Sequence, residues 1–146
     1  MQVSQKGIDL IKKFEGFSSV PYKCPAGKNT IGYGHSFTPS GQINYISSEE
    51  AEKLLKRDLV RIKSYIDSAV KVELTQGKFD ALCSLIYNWG CGSFGQSKGL
   101  RELNKGNYVK AANEFFSKNN GVVNIKGKFS NGLYSRRQAE LELWNG

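Results

Sequence analysis

The segment that most restricts how this chain can fold begins at Ser47. Ser47-Ser48-Glu49-Glu50 carries a capping-box signature, with Glu50 three residues after Ser47. Apolar residues then recur at Ala51, Leu54, Leu55, Leu59, Ile62, Ile66, Ala69 and Val70. Steps of three and four mark one amphipathic helix over about 48–70. At 1.5 Å per residue such a helix runs for roughly 30 Å, long enough to connect two lobes of one small domain.

The flanks differ in kind. Between Pro21 and Tyr45 lie all three prolines of the chain, several glycines, and the short β-favouring pieces Thr30–Ile31 and Ile43–Asn44–Tyr45. Turns are expected near Pro25–Ala26–Gly27 and Pro39–Ser40–Gly41, so this stretch reads as a small irregular antiparallel sheet. A sheet of that size is marginal alone and must lean on helices. Residues 4–14 read as a short helix with Ile8, Leu10, Ile11 and Phe14 on one side and Gly16 at its end. After the long helix, Thr75 can cap a helix whose stripe is Phe79, Leu82, Cys83, Leu85, Ile86 and Trp89, ending at Gly90. Helices follow at about 98–105 and 108–118, then a break at Asn119-Asn120-Gly121 and a last helix at about 134–144. The expected class is α+β, a single domain over 1–146. Its sheet lobe covers about 16–46, its connecting helix about 48–70, and its helical lobe 1–15 with 71–146.

Composition narrows the function. The chain is 39% hydrophobic and 23% charged, values of a folded globular protein rather than a disordered one. No apolar run approaches the roughly 20 residues needed to cross a bilayer, so membrane insertion is not expected. Met1 to Lys12 lacks the apolar core of a signal peptide, which points to synthesis in the cytoplasm. Cys24, Cys83 and Cys91 form an odd set without a Cys-x-x-Cys pair, and there is one histidine. Neither a disulfide framework nor a zinc site fits, and no metal or other cofactor is expected. The formal net charge of +8 implies attraction to polyanions: nucleic acid, anionic membranes or the bacterial envelope. Its basic residues are scattered, and no nucleic-acid docking motif appears.

Chemistry concentrates in the early segment. Glu15 ends a helix between Phe14 and Phe17, where both the negative end of the helix dipole and an apolar setting disfavour an ionised carboxylate. A glutamate kept protonated is what a general acid requires, although a solvated glutamate at a helix end is the commoner case. Cys24 follows after eight intervening residues and Thr30 after five more, both in the turn-rich stretch. A thiolate can act as base or nucleophile, and a threonine hydroxyl can hold a water.

The spacing Glu15, Cys24, Thr30 resembles the catalytic signature of phage lysozymes, glycoside hydrolase family 24, in the subset with cysteine where aspartate is usual. The blocks Pro21-Tyr22-Lys23-Cys24-Pro25-Ala26-Gly27 and Thr30-Ile31-Gly32-Tyr33-Gly34-His35 are similar to the family's most distinctive segment. The likeness continues through Phe79-Asp80-Ala81-Leu82, Tyr87-Asn88-Trp89-Gly90 and Leu100-Arg101-Glu102-Leu103-Asn104 to Gly132-Leu133, Ser135-Arg136-Arg137 and Glu140.

The resemblance implies a lysozyme-like fold and a muramidase cutting the β-1,4 bond between N-acetylmuramic acid and N-acetylglucosamine in peptidoglycan. Glu15 would be the general acid, with Cys24 and Thr30 positioning or activating the attacking water. Inversion needs a gap of roughly 6.5–9.5 Å between acid and base, whereas a sulfur could instead attack the sugar directly, so the stereochemical course stays open. The resemblance further implies saccharide contacts at Ser36, Tyr87 and Gly99, an ion pair of His35 with Asp58, and a hydrogen bond from Arg137 to Glu15. It implies a monomer that acts on peptidoglycan, with nucleic acid not the primary partner. Such an enzyme would be made in the host bacterial cytoplasm and released to the wall through a separate membrane-hole protein.

Overall fold

A computed structural model describes residues 1–38 and 44–146. Helix α1 (Gln5–Glu15) is anchored before its first turn, where the Ser4 amide and hydroxyl both donate to Asp80. It ends at Gly16, whose amide closes the last turn on the Lys12 carbonyl at 2.9 Å and whose φ of 70° turns the chain away.

Three short antiparallel strands follow: β1 (Ser18–Lys23), β2 (Asn29–Gly32) and β3 (His35–Ser36), in the order β1-β2-β3. Tyr22 pairs with Thr30 and Lys23 with Asn29, while the register is irregular between Ser18 and Tyr22, the stretch that contains Pro21. The expected turn at Pro25–Gly27 is present, with Gly27 donating to the Cys24 carbonyl at 2.8 Å and Cys24 to the Lys28 carbonyl at 3.0 Å. The turn expected at Pro39–Gly41 lies outside the described residues, as does Ile43 of the expected strand. Asn44 and Tyr45 are irregular rather than strand, because the chain here pairs only through Ile46, whose amide donates to the Ser19 carbonyl.

Helix α2 (Ser48–Ala69) begins at the capping box: Glu50 donates to the Ser47 hydroxyl at 3.1 Å, and the Glu50 carboxylate accepts from the Ser47 amide. Its first turn buries Ala51 with Ile31 and Ile46 in a small cluster under the sheet. From Leu55 onward its inner face belongs to the main helical core. One helix therefore feeds two cores.

The main core surrounds α3 (Gln76–Trp89), in which every residue from Phe79 to Ile86 is buried. Helices α4 (Cys91–Gly95), α5 (Lys98–Asn104), α6 (Tyr108–Phe116) and α7 (Asn131–Asn145) complete it, with a hairpin β4 (Asn124–Ile125) and β5 (Lys128–Phe129) before α7. Phe94, Phe115, Phe116 and Trp144 form its aromatic centre, with ring centroids 5.5–6.3 Å apart. α4 and the hairpin were not expected from the sequence. α7 starts three residues earlier than expected, capped by the Ser130 hydroxyl.

Candidate active site

Glu15 occupies the last position of α1, with its side chain 18% exposed. Two neighbours from distant parts of the chain define its seat. Arg136 on α7 donates from Nη1 to Glu15 Oε2 at 2.6 Å. The turn joining β2 to β3 closes over the other oxygen: a β-carbon on Gly34 would stand 2.5 Å from Oε1, and Gly34 has a φ of 78°. The left-handed backbone favours glycine there, and any side chain would displace the Glu15 carboxylate from this seat.

The hydrogen bond expected from Arg137 to Glu15 is therefore made by Arg136. Consecutive helical residues point about 100° apart, and only Arg136 projects toward α1. Arg137 is fully buried on the other side, donating to Asn88 Oδ1 at 2.9 Å, the Val122 carbonyl at 3.2 Å and Glu140 Oε2 at 3.0 Å. Its Nε lies 2.6 Å from Glu140 Oε1, in ion-pair contact without hydrogen-bond alignment.

Cys24 stands at the mouth of the Pro25–Gly27 turn. Burial pushes its thiol up. That push is outweighed by the backbone N–H groups of Lys28 and Ala26, the Thr30 hydroxyl and the Lys28 ammonium, which together hold the thiol below its ordinary value. Thr30 is buried, and its hydroxyl also donates to the Lys28 carbonyl at 2.9 Å. With a single proton, that hydroxyl serves the carbonyl or the sulfur at any moment, not both.

Tyr22, half-exposed on β1, links the two ends of the site. Burial raises its phenol, and the charges of Glu15 and then Cys24 raise it further, so the ring lies within electrostatic reach of both. Neither Tyr22 nor Gly34 is singled out by sequence spacing; only the strand register and the turn bring them here.

Ser36 on β3 pairs with Thr30 and lines a cavity with Lys23, Lys28 and Phe37. Gly99 lies in the helical lobe, packed so tightly that a β-carbon would meet the Phe115 ring at 2.3 Å. It lines a separate cavity with Trp89, Glu114 and Asn120. Tyr87 donates its hydroxyl to the Tyr33 carbonyl at 2.6 Å and so buttresses the turn that carries Gly34. Burial, then Asp58 and Glu15, raise its phenol far above the ordinary value. His35 Nδ1 lies 2.7 Å from Asp58 Oδ2, and Arg61 reaches the other oxygen of Asp58. This pair ties β3 to α2 behind the site. Among the described residues, no group of three or more His, Cys, Asp or Glu could hold a metal ion.

Comparison with known proteins gives the family and the fold. Residues 12–140 match the phage lysozyme family. The chain is 40% identical to an endolysin of Acyrthosiphon pisum secondary endosymbiont phage 1, over 99% of this chain and 98% of that one. An endolysin of Bacillus phage B103 is 45% identical across 99% of this chain, which spans 54% of that longer relative. The muramidase domain of SpmX from Asticaccaulis excentricus has the same fold, with a TM-score of 0.83 and 34% identity over 99% of this chain and 98% of that one. A lysozyme-like α+β fold and a family match spanning most of the sequence give one conclusion: the chain is a glycoside hydrolase and belongs to the phage lysozyme family.

Proposed function

We propose that this enzyme is an N-acetylmuramidase that lyses bacteria by hydrolysing the β-1,4 bond between N-acetylmuramic acid and N-acetylglucosamine in peptidoglycan. The observation that carries this reading is the asymmetric seat of Glu15. One oxygen is engaged by Arg136, while the other lies under Gly34, where no side chain competes for it. From Oε1 the carboxyl donates its proton to the departing glycosidic oxygen, while Arg136 fixes the plane of the group. Water adds its oxygen to the anomeric carbon. Its proton passes to the Cys24 sulfur, with Thr30 helping to hold the molecule in line.

A second course has one observation in its favour. The Cys24 thiol is held below its ordinary value, which favours the form that could attack the anomeric carbon itself and be displaced later by water. The anomer of the first product separates the two: inversion for water attack, retention for sulfur attack.

In the same reading Ser36, Tyr87 and Gly99 contact the glycan, and the enzyme acts as a monomer on peptidoglycan rather than on nucleic acid. It is made in the host bacterial cytoplasm and released to the wall through a separate membrane-hole protein. Among the described residues, no helix is long and apolar enough to cross a membrane. Digestion of purified peptidoglycan tests the activity. New muramic acid reducing ends are expected; anhydromuramic ends would identify a lytic transglycosylase and overturn the hydrolytic reading.

A further inference from the structure

Behind Glu15 the fold buries charges that the reaction scheme does not use. Arg136 reaches the cleft with Nη1, and the rest of its guanidinium is held from inside the protein. Nε donates to the Ser84 hydroxyl at 3.2 Å, and Nη2 donates to the Ser84 carbonyl at 3.1 Å. Ser84 in turn donates its hydroxyl to Glu140 Oε2 at 2.5 Å, and Arg136 Nε lies 3.4 Å from that same oxygen. Ser84 and Glu140 are fully buried. Charges thus alternate from cleft to core: Glu15, Arg136, Glu140, Arg137.

We propose that Glu140, through Ser84 and Arg136, is a positioning residue that sets how strongly Arg136 acts on Glu15. The inference rests on the muramidase reading, in which Glu15 must carry a proton to work. A guanidinium 2.6 Å from a carboxylate favours the anion, and in a half-buried site that attraction is weakly screened. An undivided Arg136 charge would therefore oppose the acid. Glu140 supplies a second anion on the inner side of the same guanidinium and so divides its field. Ser84 is the joint that keeps the arginine fork flat against α3, so that only Nη1 extends to the cleft.

The groups facing each carboxylate are few. Around Glu140 stand Arg136 and Arg137 from α7 and Ser84 from α3. Burial raises the Glu140 carboxyl, opposed by Arg137, Arg136 and the Ser84 hydroxyl. Around Glu15 stand Arg136 from α7, Tyr22 from β1 and Tyr87 from α3, with the charge of Arg137 acting from farther inside α7. Among the described residues, the cation in direct contact with Glu15 is thus the one that Glu140 shares.

The sign follows from the charge removed. Glu140→Gln takes an anion from behind Arg136, raises the positive potential at Glu15 and stabilises its carboxylate. The alkaline limb of the pH–rate profile should move to lower pH. kcat at neutral pH should fall up to about threefold with KM nearly unchanged, since no glycan contact is touched. Ser84→Ala leaves every charge in place and is the milder variant should Glu140→Gln not fold. Losing the joint lets the fork move, so kcat should fall several-fold at constant KM.

The measurement is a pH–rate profile of wild type, Glu140→Gln and Ser84→Ala on purified peptidoglycan, with circular dichroism confirming the folded state. A lowered limb in Glu140→Gln, or a kcat loss at constant KM in Ser84→Ala when the first variant does not fold, supports the proposal. Folded variants whose profiles and kcat superimpose on wild type would overturn it. Wild-type protein that releases no muramic acid ends would instead remove the muramidase reading itself, before any variant is compared.

Discussion

The missing β-carbon of Gly34 is the space that Glu15 Oε1 occupies: a methyl group there would lie 2.5 Å from that oxygen. Glu15 therefore keeps this position at the end of α1 only with glycine in the β2–β3 turn. Gly34→Ala should push the carboxylate aside and lower glycan cleavage by at least about tenfold, since misplacement by about 1 Å can cost a hundredfold. The left-handed backbone adds a stability loss of about 1–2 kcal/mol. Activity assayed well below the melting transition separates the two effects. A folded Gly34→Ala enzyme with wild-type turnover would show that the close approach has no catalytic consequence.

The three cysteines should differ sharply in reactivity. The Cys24 thiol is held below its ordinary value, whereas burial raises both Cys83 and Cys91. At any given pH more of Cys24 than of the other two is thiolate, so its alkylation rate should reach half-maximum at a lower pH than theirs. Peptide mapping after brief iodoacetamide treatment should find Cys24 modified first, with activity falling in step and substrate protecting. Cys24→Asp should stay active, because a carboxylate accepts the same hydrogen bond from water, and Cys24→Ala should lose at least about tenfold. Full activity after alkylation confined to Cys24 would reduce the site to Glu15 and Thr30.

His35 and Asp58 join the sheet to the long helix at 2.7 Å, both largely shielded from solvent. A double-mutant cycle on His35→Gln and Asp58→Asn should give a coupling energy of about 1 kcal/mol or more in thermal unfolding. Arg61, 72% exposed, shares the same carboxylate, and its loss should matter little. Additive effects of the His35 and Asp58 substitutions would dismiss the pair as a structural tie.

Some of this architecture is written in local patterns, and some is not. The long helix is legible because Ser47 and Glu50 cap it and its apolar steps are regular; its observed bounds, Ser48–Ala69, lie within a residue of the expected ones. Glu15, Cys24 and Thr30 stand out in the sequence because their spacing resembles the family signature, and their roles are those proposed above. The first residues of α7 were missed because Asn131 and Gly132 are poor helix formers, and farther along its inner face carries Arg136, Arg137 and Glu140 where apolar residues would be expected. That same face hides the partner of Glu15: two adjacent arginines look alike in sequence, and only the helix phase separates them. The clue available was Glu140, four residues from Arg136 and three from Arg137, a spacing that stacks opposite charges on one helical face. The β4–β5 hairpin escaped because Lys126-Gly127, its positive-φ turn, lies beside two-residue strands too short to show alternation.

The account stands or falls on the proton carried by Glu15, and Glu15→Gln tests it most directly. Glutamine keeps the size of the side chain and an oxygen for Arg136 but has no proton to give. Turnover of purified peptidoglycan, followed as new muramic acid reducing ends, should fall at least about a hundredfold while the melting temperature stays close to wild type. A folded Glu15→Gln protein that cleaves glycan at the wild-type rate would contradict the mechanism.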